Sequence, residues 1–312
     1  MKIVFMGTPQ AAVPSLKKIL ENGHQVVGVW TQPDRPAGRG NRLTPPPVKE
    51  FALVEGLEVF QPQKIKTVES LELFRSHRAD VAVVVAYGRI LPQTFLEAFP
   101  EGAINVHFSI LPKYRGAAPV NWAIVRGERE TGVTTMKMDA GLDTGDILLQ
   151  SQTPIAEDEN AVELMERLSV LGADLLAKTL AELDEIEPVA QDHEKATLAP
   201  ILKKEDGLIN WGLTAFEINN RVRGFQPFPK SFSVFEGQKL TVWRSSVEKE
   251  KDRVPDKKPG EIISATGDSL LVVCGDGSIL KILELQIEGK RRMATRDFLN
   301  GVKIKAGDFL GV

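Results

Sequence analysis

Cysteine is almost absent: Cys274 is the only one in 312 residues. No intrachain disulfide and no cysteine-rich zinc site can form. Histidine is nearly as scarce, with four in the chain, and no ligand cluster in the sequence suggests a metal. Long apolar runs are missing as well. The opening "MKIVFMGTPQ" is broken by Gly7 and Pro9, too early for a signal peptide's apolar region. Nothing approaches the length of a membrane span, so the expected compartment is the cytoplasm, with no membrane partner. An excess of one charge is also lacking, since the formal net charge is −3. Repeats and low-complexity tracts are absent, which excludes solenoids and arrays.

What remains is an ordinary globular composition, long enough for two domains. In the first half, "KIVFM" (2–6), "QVVGVWT" (25–31) and "VAVVVAYG" (81–88) are continuous apolar runs separated by helical patterns. Such runs are expected in a parallel sheet covered on both faces. The "MGTP" turn lacks the G-x-G-x-x-G spacing of a dinucleotide site and reads as a tight strand-to-helix turn near a substrate. Apolar residues from 160 to 183 keep a helical period. The polar stretch 188–206, with Pro188 and Pro200, reads as a linker. Beyond it come short strands with Gly and Asp turns, including an Asp276-Gly277 hairpin signal. The expected fold class is therefore α/β: a Rossmann-like, mostly parallel sheet domain over 1–187, then a small OB-like β-barrel over 207–312. Residues 203–312 hold 19 Lys and Arg against 15 Asp and Glu, a net of +4, leaving −7 for the rest. That asymmetry fits either scatter or a second domain facing a polyanion.

The chemistry is concentrated in "AINVHFSILPKYRGAAP" (103–119). In a strand, residues two apart share a face, so Asn105, His107 and Ser109 line one side unless Ser109 already lies in the turn. Open parallel sheets bind ligands beyond the carboxyl ends of their strands, and this segment reads as such an end. A second polar cluster, "MDAGLDTGDILLQ" (138–150), sets Asp139, Asp143 and Asp146 around Gly141 and Gly145. A carboxylate from that loop beside His107 would fix the ring and stabilise an imidazolium. The spacing does not match a calcium loop. Taken singly, each feature also fits a structural residue or a plain turn. The loop from Thr31 to Pro47 carries Arg35, Arg39 and Arg42 against Asp34 among five prolines. By composition it is either a solvated connector or a stiff arm for phosphates and end bases.

The order "NVHFSILPKYRGAAP" followed by "TGVTTMKMDAGLDTGD" resembles the folate-dependent formyltransferases, and within them the members that formylate methionyl-tRNA. "FMGTP", "TQPDRPAGRG", "VVAYGRILP", "KEDGLINW" and "RVRGFQPFP" are similar to that group too, so the resemblance spans nearly the whole chain. Two positions depart mildly: Ile110 within Ser109–Pro112, and Phe228 where Trp is usual.

The resemblance implies transfer of a formyl group from 10-formyltetrahydrofolate to the free amine of methionyl-initiator tRNA, for initiation of protein synthesis. It implies that Asn105 and protonated His107 stabilise the oxyanion, with Asp143 against His107, and that no metal takes part. Tyr87, Gly88, Ile90, Ser109, Ile110, Leu111, Pro112, Asp139 and Gly141 would hold the folate, chiefly through backbone groups. Arg35, Arg39, Arg42, Arg221 and Arg223 would contact tRNA, and no obligate protein partner is evident. Two rival readings are a formyltransferase for a small amine and a tRNA-binding module without catalysis. The arginine loop and the basic second domain weigh against the first rival, and the joint presence of Asn105, His107 and Asp143 weighs against the second.

Overall fold

A computed structural model describes every residue except Gly38, Arg39, Asn41, Glu250, Lys251 and Val312. Contacts divide the chain into two compact units. One comprises Met1–Pro119, Glu130–Pro154 and Met165–Ala199; the other comprises Val120–Arg129, Ile155–Leu164 and Pro200–Val312.

The elements up to Ala199 are β1 (Lys2–Gly7), α1 (Val13–Glu21), β2 (Gln25–Trp30), β3 (Arg35–Ala37), β4 (Arg42–Thr44), α2 (Pro47–Val54), β5 (Val59–Phe60), α3 (Val68–Ser76), β6 (Val81–Val85), α4 (Gln93–Leu96), β7 (Ala103–His107), β8 (Arg115–Gly116), α5 (Pro119–Val125), β9 (Glu130–Lys137), β10 (Ile147–Pro154), α6 (Ala161–Ala181) and β11 (Leu198–Ala199). A seven-stranded sheet runs in the order β10-β9-β7-β6-β1-β2-β5. The neighbours from β7 to β5 pair in parallel, while β9 and β10 are antiparallel additions at one edge. Strand β6 is buried at every position, which explains its uninterrupted Val-rich run. Edge strand β10 alternates instead, with one side toward water.

Five of the aromatic residues form one cluster. Trp30, Phe60, Phe74 and Phe95 pack ring against ring, and Phe99 joins through Phe74. Helix α6 lies against the sheet at Gly172, where a Cβ would stand 3.0 Å from Val106 Cγ1. The close approach offsets the ~1 kcal/mol that a glycine costs inside a helix.

Residues 31–49, a loop by composition, fold in part as the hairpin β3–β4. The polar segment 188–206, read as a linker, is ordered around two different neighbours. Val189 exchanges backbone hydrogen bonds with Ile147 at 2.8 and 2.9 Å, and β11 pairs in parallel with β8. From Pro200 onward the chain belongs to the second unit.

The second unit adds α7 (Ala215–Gly224), β12 (Ser231–Phe235), β13 (Gln238–Val247), β14 (Ile262–Thr266), β15 (Ser269–Val273), β16 (Ile279–Ile287), β17 (Met293–Ala294) and α8 (Thr295–Gly301). Its antiparallel sheet runs β12-β13-β16-β15-β14, with β17 on β16. The Asp276-Gly277 turn joins β15 to β16 as expected, with Gly277 at φ +75°. The two edges are bridged by the tail. Leu310 N donates to Gly260 O at 2.9 Å beside β14, and Gly311 N donates to Val234 O at 2.8 Å on β12. This bridge closes the sheet and covers edges that would otherwise template aggregation. Cys274 sits inside, its thiol pushed up to about 12 by burial, so it is an inert packing residue.

Candidate active site

Strand β7 ends at His107. Asn105 pairs with Val84 on β6 and Met136 on β9, and His107 lies opposite Thr134. The two side chains share a face and are 8% and 6% exposed. Ser109 does not continue the alternation, because it lies past the strand end. It is fully buried, and its hydroxyl donates to Lys113 O at 2.7 Å. Its role is to close the turn.

The Asn105 amide has no hydrogen-bond partner among the described residues. The amide is not sealed from solvent, so it is free to donate to a ligand that enters the site. His107 Nε2 donates to Tyr114 O at 3.0 Å. Its Nδ1 lies 3.7 Å from Asp143 Oδ2, an electrostatic contact just beyond hydrogen-bond length. An imidazolium therefore finds an acceptor facing each of its two N–H groups.

Asp143 has φ 53°, a left-handed conformation uncommon outside glycine but tolerated by Asp. Its Oδ2 accepts from Gly116 N at 2.7 Å. Its own carbonyl accepts from Gln191 Nε2 at 2.9 Å, and Gly145 O accepts from the same amide at 2.6 Å. Gly145 must be glycine, because a Cβ there would lie 1.8 Å from Lys137 O. Gln191 was missed by sequence reading because it falls in the supposed linker. The signal available there was only a lone Gln in a polar run.

A cleft of about 430 Å³ is lined by residues of 65–71 and 90–95 and by Ala140, from the loop that carries Asp143; Asn105, His107 and Asp143 do not line it. That size is within the usual range for a small-molecule site. Ile90, 74% exposed, stands at its edge. The contribution of α3 and the segment before it carries no motif and was not anticipated.

The other expected folate residues fall differently. Tyr87 faces the aromatic core with its hydroxyl unpartnered and pushed up to about 12 by burial. Its carbonyl already accepts from Thr8 Oγ1 at 2.9 Å and Gln32 Nε2 at 3.1 Å. Gly88 is exposed with φ +83°. Leu111 is buried; its N donates to Thr134 Oγ1 at 3.1 Å and its O accepts from Gln150 Nε2 at 2.9 Å. Ile110 O accepts from Lys113 N at 3.1 Å. The Ser109–Pro112 backbone is thus largely satisfied within the protein, and it shapes the site more than it offers hydrogen bonds. The Asp139 carboxylate closes its own loop, accepting from Thr144 Oγ1 at 2.7 Å and from Gly141 N at 3.1 Å. Gly141 lies exposed beside Ala140 of the cleft.

Among the basic residues, Arg42 is exposed on β4 and Arg35 reaches Gln32 Oε1 at 3.4 Å. Arg39 lies outside the described residues. Asp34 has a partner other than Arg35 and Arg42 among the described residues. It is held by Lys49 at 2.8 Å, whose ammonium keeps the carboxyl below its usual range. In the second unit Arg221 lies over the Phe225 ring at 5.8 Å. Arg223 is turned inward, donating to Ala156 O at 3.0 Å and Glu159 O at 2.8 Å. That guanidinium ties down a loop of its own unit and is poorly placed for a phosphate. Sequence reading did not anticipate Trp243, which has Lys230 Nζ 4.2 Å and the Arg292 guanidinium 4.8 Å from its ring centre. Lys239 similarly lies 3.9 Å over Phe232. Aromatic rings interleaved with cations suit a nucleic-acid surface. Among the described residues no group of three or more His, Cys, Asp or Glu is placed to hold a metal, and no helix is long and apolar enough to cross a membrane.

Residues 1–180 match the family described as formyl transferase, and residues 201–303 match the formyl transferase C-terminal domain. The methionyl-tRNA formyltransferase of Acetivibrio thermocellus is 46% identical over the full length of both chains. That of Citrifermentans bemidjiense is 50% identical, covering all of this chain and 96% of its own. Among solved structures, the sugar 3N-formyl transferase WlaRD aligns with a TM-score of 0.67 at 21% identity, over 93% of this chain and 99% of its own. HypX from Aquifex aeolicus, in complex with tetrahydrofolic acid, aligns at 0.61 and 18% identity, over all of this chain and 51% of its own. Both share the fold.

Proposed function

This chain belongs to the formyl transferase family, and from that premise we propose that it moves the formyl group of 10-formyltetrahydrofolate onto the free amine of methionyl-initiator tRNA, for initiation of protein synthesis. The observation that carries the reading is full-length identity of 46–50% to proteins named for that reaction. The largely apolar cleft bordered by Ile90 and Ala140 suits a flat ring system, and the folate supplies the one-carbon unit at formyl oxidation level. Residues 1–187 carry catalysis and 207–312 carry tRNA binding.

The chemistry follows from the residues at the end of β7. Attack by the methionyl amine on the formyl carbon forms a C–N bond and drives negative charge onto the formyl oxygen. Asn105 donates its unpartnered amide to that oxygen, and the His107 imidazolium adds positive charge nearby. Asp143 holds the imidazolium and helps draw the proton from the attacking amine, which is passed to the departing folate nitrogen. Arg35, Arg39, Arg42 and Arg221, with Lys230, Lys239 and Arg292, serve the tRNA. Phosphate binding sums many such weak contacts.

The test offers 10-formyltetrahydrofolate, labelled in the formyl group, with methionyl-initiator tRNA, glycinamide ribonucleotide or an amino-sugar nucleotide. Label is expected on the methionyl ester alone. Label on either small amine, with none on tRNA, overturns the reading.

A further inference from the structure

We infer that Gln191 is a positioning residue for the reaction, and that the segment 191–197 sets the partners of both ring nitrogens of His107. The inference rests on the functional reading above. His107 Nδ1 faces Asp143, and Gln191 holds Asp143 through its carbonyl and the following turn through Gly145 O. His107 Nε2 donates to Tyr114 O, and Tyr114 N in turn donates to Thr197 Oγ1 at 2.9 Å. Arg115 N donates to Thr197 O at 2.8 Å. One short strap thus anchors the loop on each side of the imidazole.

Gln191 is itself fixed. It is 6% exposed, and its Oε1 accepts from Arg115 Nε at 3.1 Å and Nη2 at 2.7 Å. Arg115 is equally buried, its Nη1 lies 3.2 Å from His193 Nδ1, and no acidic side chain lies within 4 Å of its guanidinium among the described residues. A buried cation without a carboxylate orients the Gln191 amide: oxygen toward Arg115, NH₂ toward the two carbonyls. A left-handed Asp143 persists only where the surroundings over-determine it, and the Gln191 amide is one of the two groups that hold it. The other is Gly116 N, which holds the carboxylate.

Gln191→Glu separates positioning from folding. The carboxylate keeps the length and still accepts from Arg115, but it cannot donate to Asp143 O and Gly145 O. The expected result is a folded enzyme with unchanged KM for both substrates and kcat lower on the order of 10–100-fold, as for a group displaced by about 1 Å. In an Asp143→Ala background the same change is expected to add no loss, because the two act through one group. Unchanged kcat in Gln191→Glu overturns the inference, as does an equal loss with Asp143 already removed, or a loss confined to KM. If the Glu variant does not fold, Gln191→Met, which keeps the shape without hydrogen bonds, is run in the same two backgrounds. Should Asp143→Ala itself leave kcat intact, the catalytic reading of His107 and Asp143 fails first, and the two failures remain distinct.

Discussion

Replacing Asn105 with Ala should slow formyl transfer without weakening the fold. The side chain is 8% exposed, yet its amide has no partner among the described residues. Removing it therefore strands no other polar group, and the amide itself, still open to solvent, carries no burial penalty to relieve. The net expectation is a stability change within about 0.5 kcal/mol in either direction, a shift of roughly 1–2 °C for a unit of this size. In the transition state the loss is larger. One oxyanion donor contributes about 2.7–4 kcal/mol to the barrier, or roughly 100–1,000-fold in kcat. Thermal unfolding followed by circular dichroism, with single-turnover formylation at saturating tRNA, measures both quantities on the same preparation. A lower melting temperature together with parental kcat would show that Asn105 has a structural role, and the assignment of the oxyanion donor would be refuted.

The doubly substituted His107→Ala/Asp143→Ala enzyme should lose little more turnover than the worse single variant, because the two residues act as a unit; multiplying losses in kcat would count against it. Burial lowers the His77 pKa from its usual 6.5, and its Nε2 accepts from Trp30 Nε1 at 3.0 Å. The folded state therefore binds that proton less readily than the unfolded chain. The stabilisation from neutral His77 is complete above pH 6.5 and is lost as pH falls through the folded value. Urea denaturation between pH 5 and 8 should show this acid loss, and His77→Gln should flatten it. For tRNA binding, Lys230→Gln and Arg292→Gln should each weaken affinity and make the slope of log K against log salt shallower by about one. Filter binding with an unchanged slope would place the Trp243 face away from the nucleic acid.

Much of this molecule was legible in its sequence. Continuous Val-rich runs imply strands buried on both faces, because alternation is lost only where neither face meets water; β6 is such a strand. The Asp276-Gly277 turn was equally local, since φ +75° at Gly277 is a property of two residues. Asn105 and His107 follow from a period of two, and Asp143 from the word order that resembles a family. Other features depended on chain segments far apart. Ser109 and Leu111 are occupied by Lys113, Thr134 and Gln150, so the Ser109–Pro112 segment is shaped by partners up to about 40 residues away. Arg223 reads as a surface cation until the carbonyls of Ala156 and Glu159 fold over it. Gln191, 48 residues from Asp143, is polar filler in a Pro-containing stretch when read alone. Local pattern reports only what a residue's own backbone and nearest neighbours demand. A hydrogen bond between remote segments leaves no period and no spacing in the sequence, and only the tertiary structure decides which buried polar groups meet.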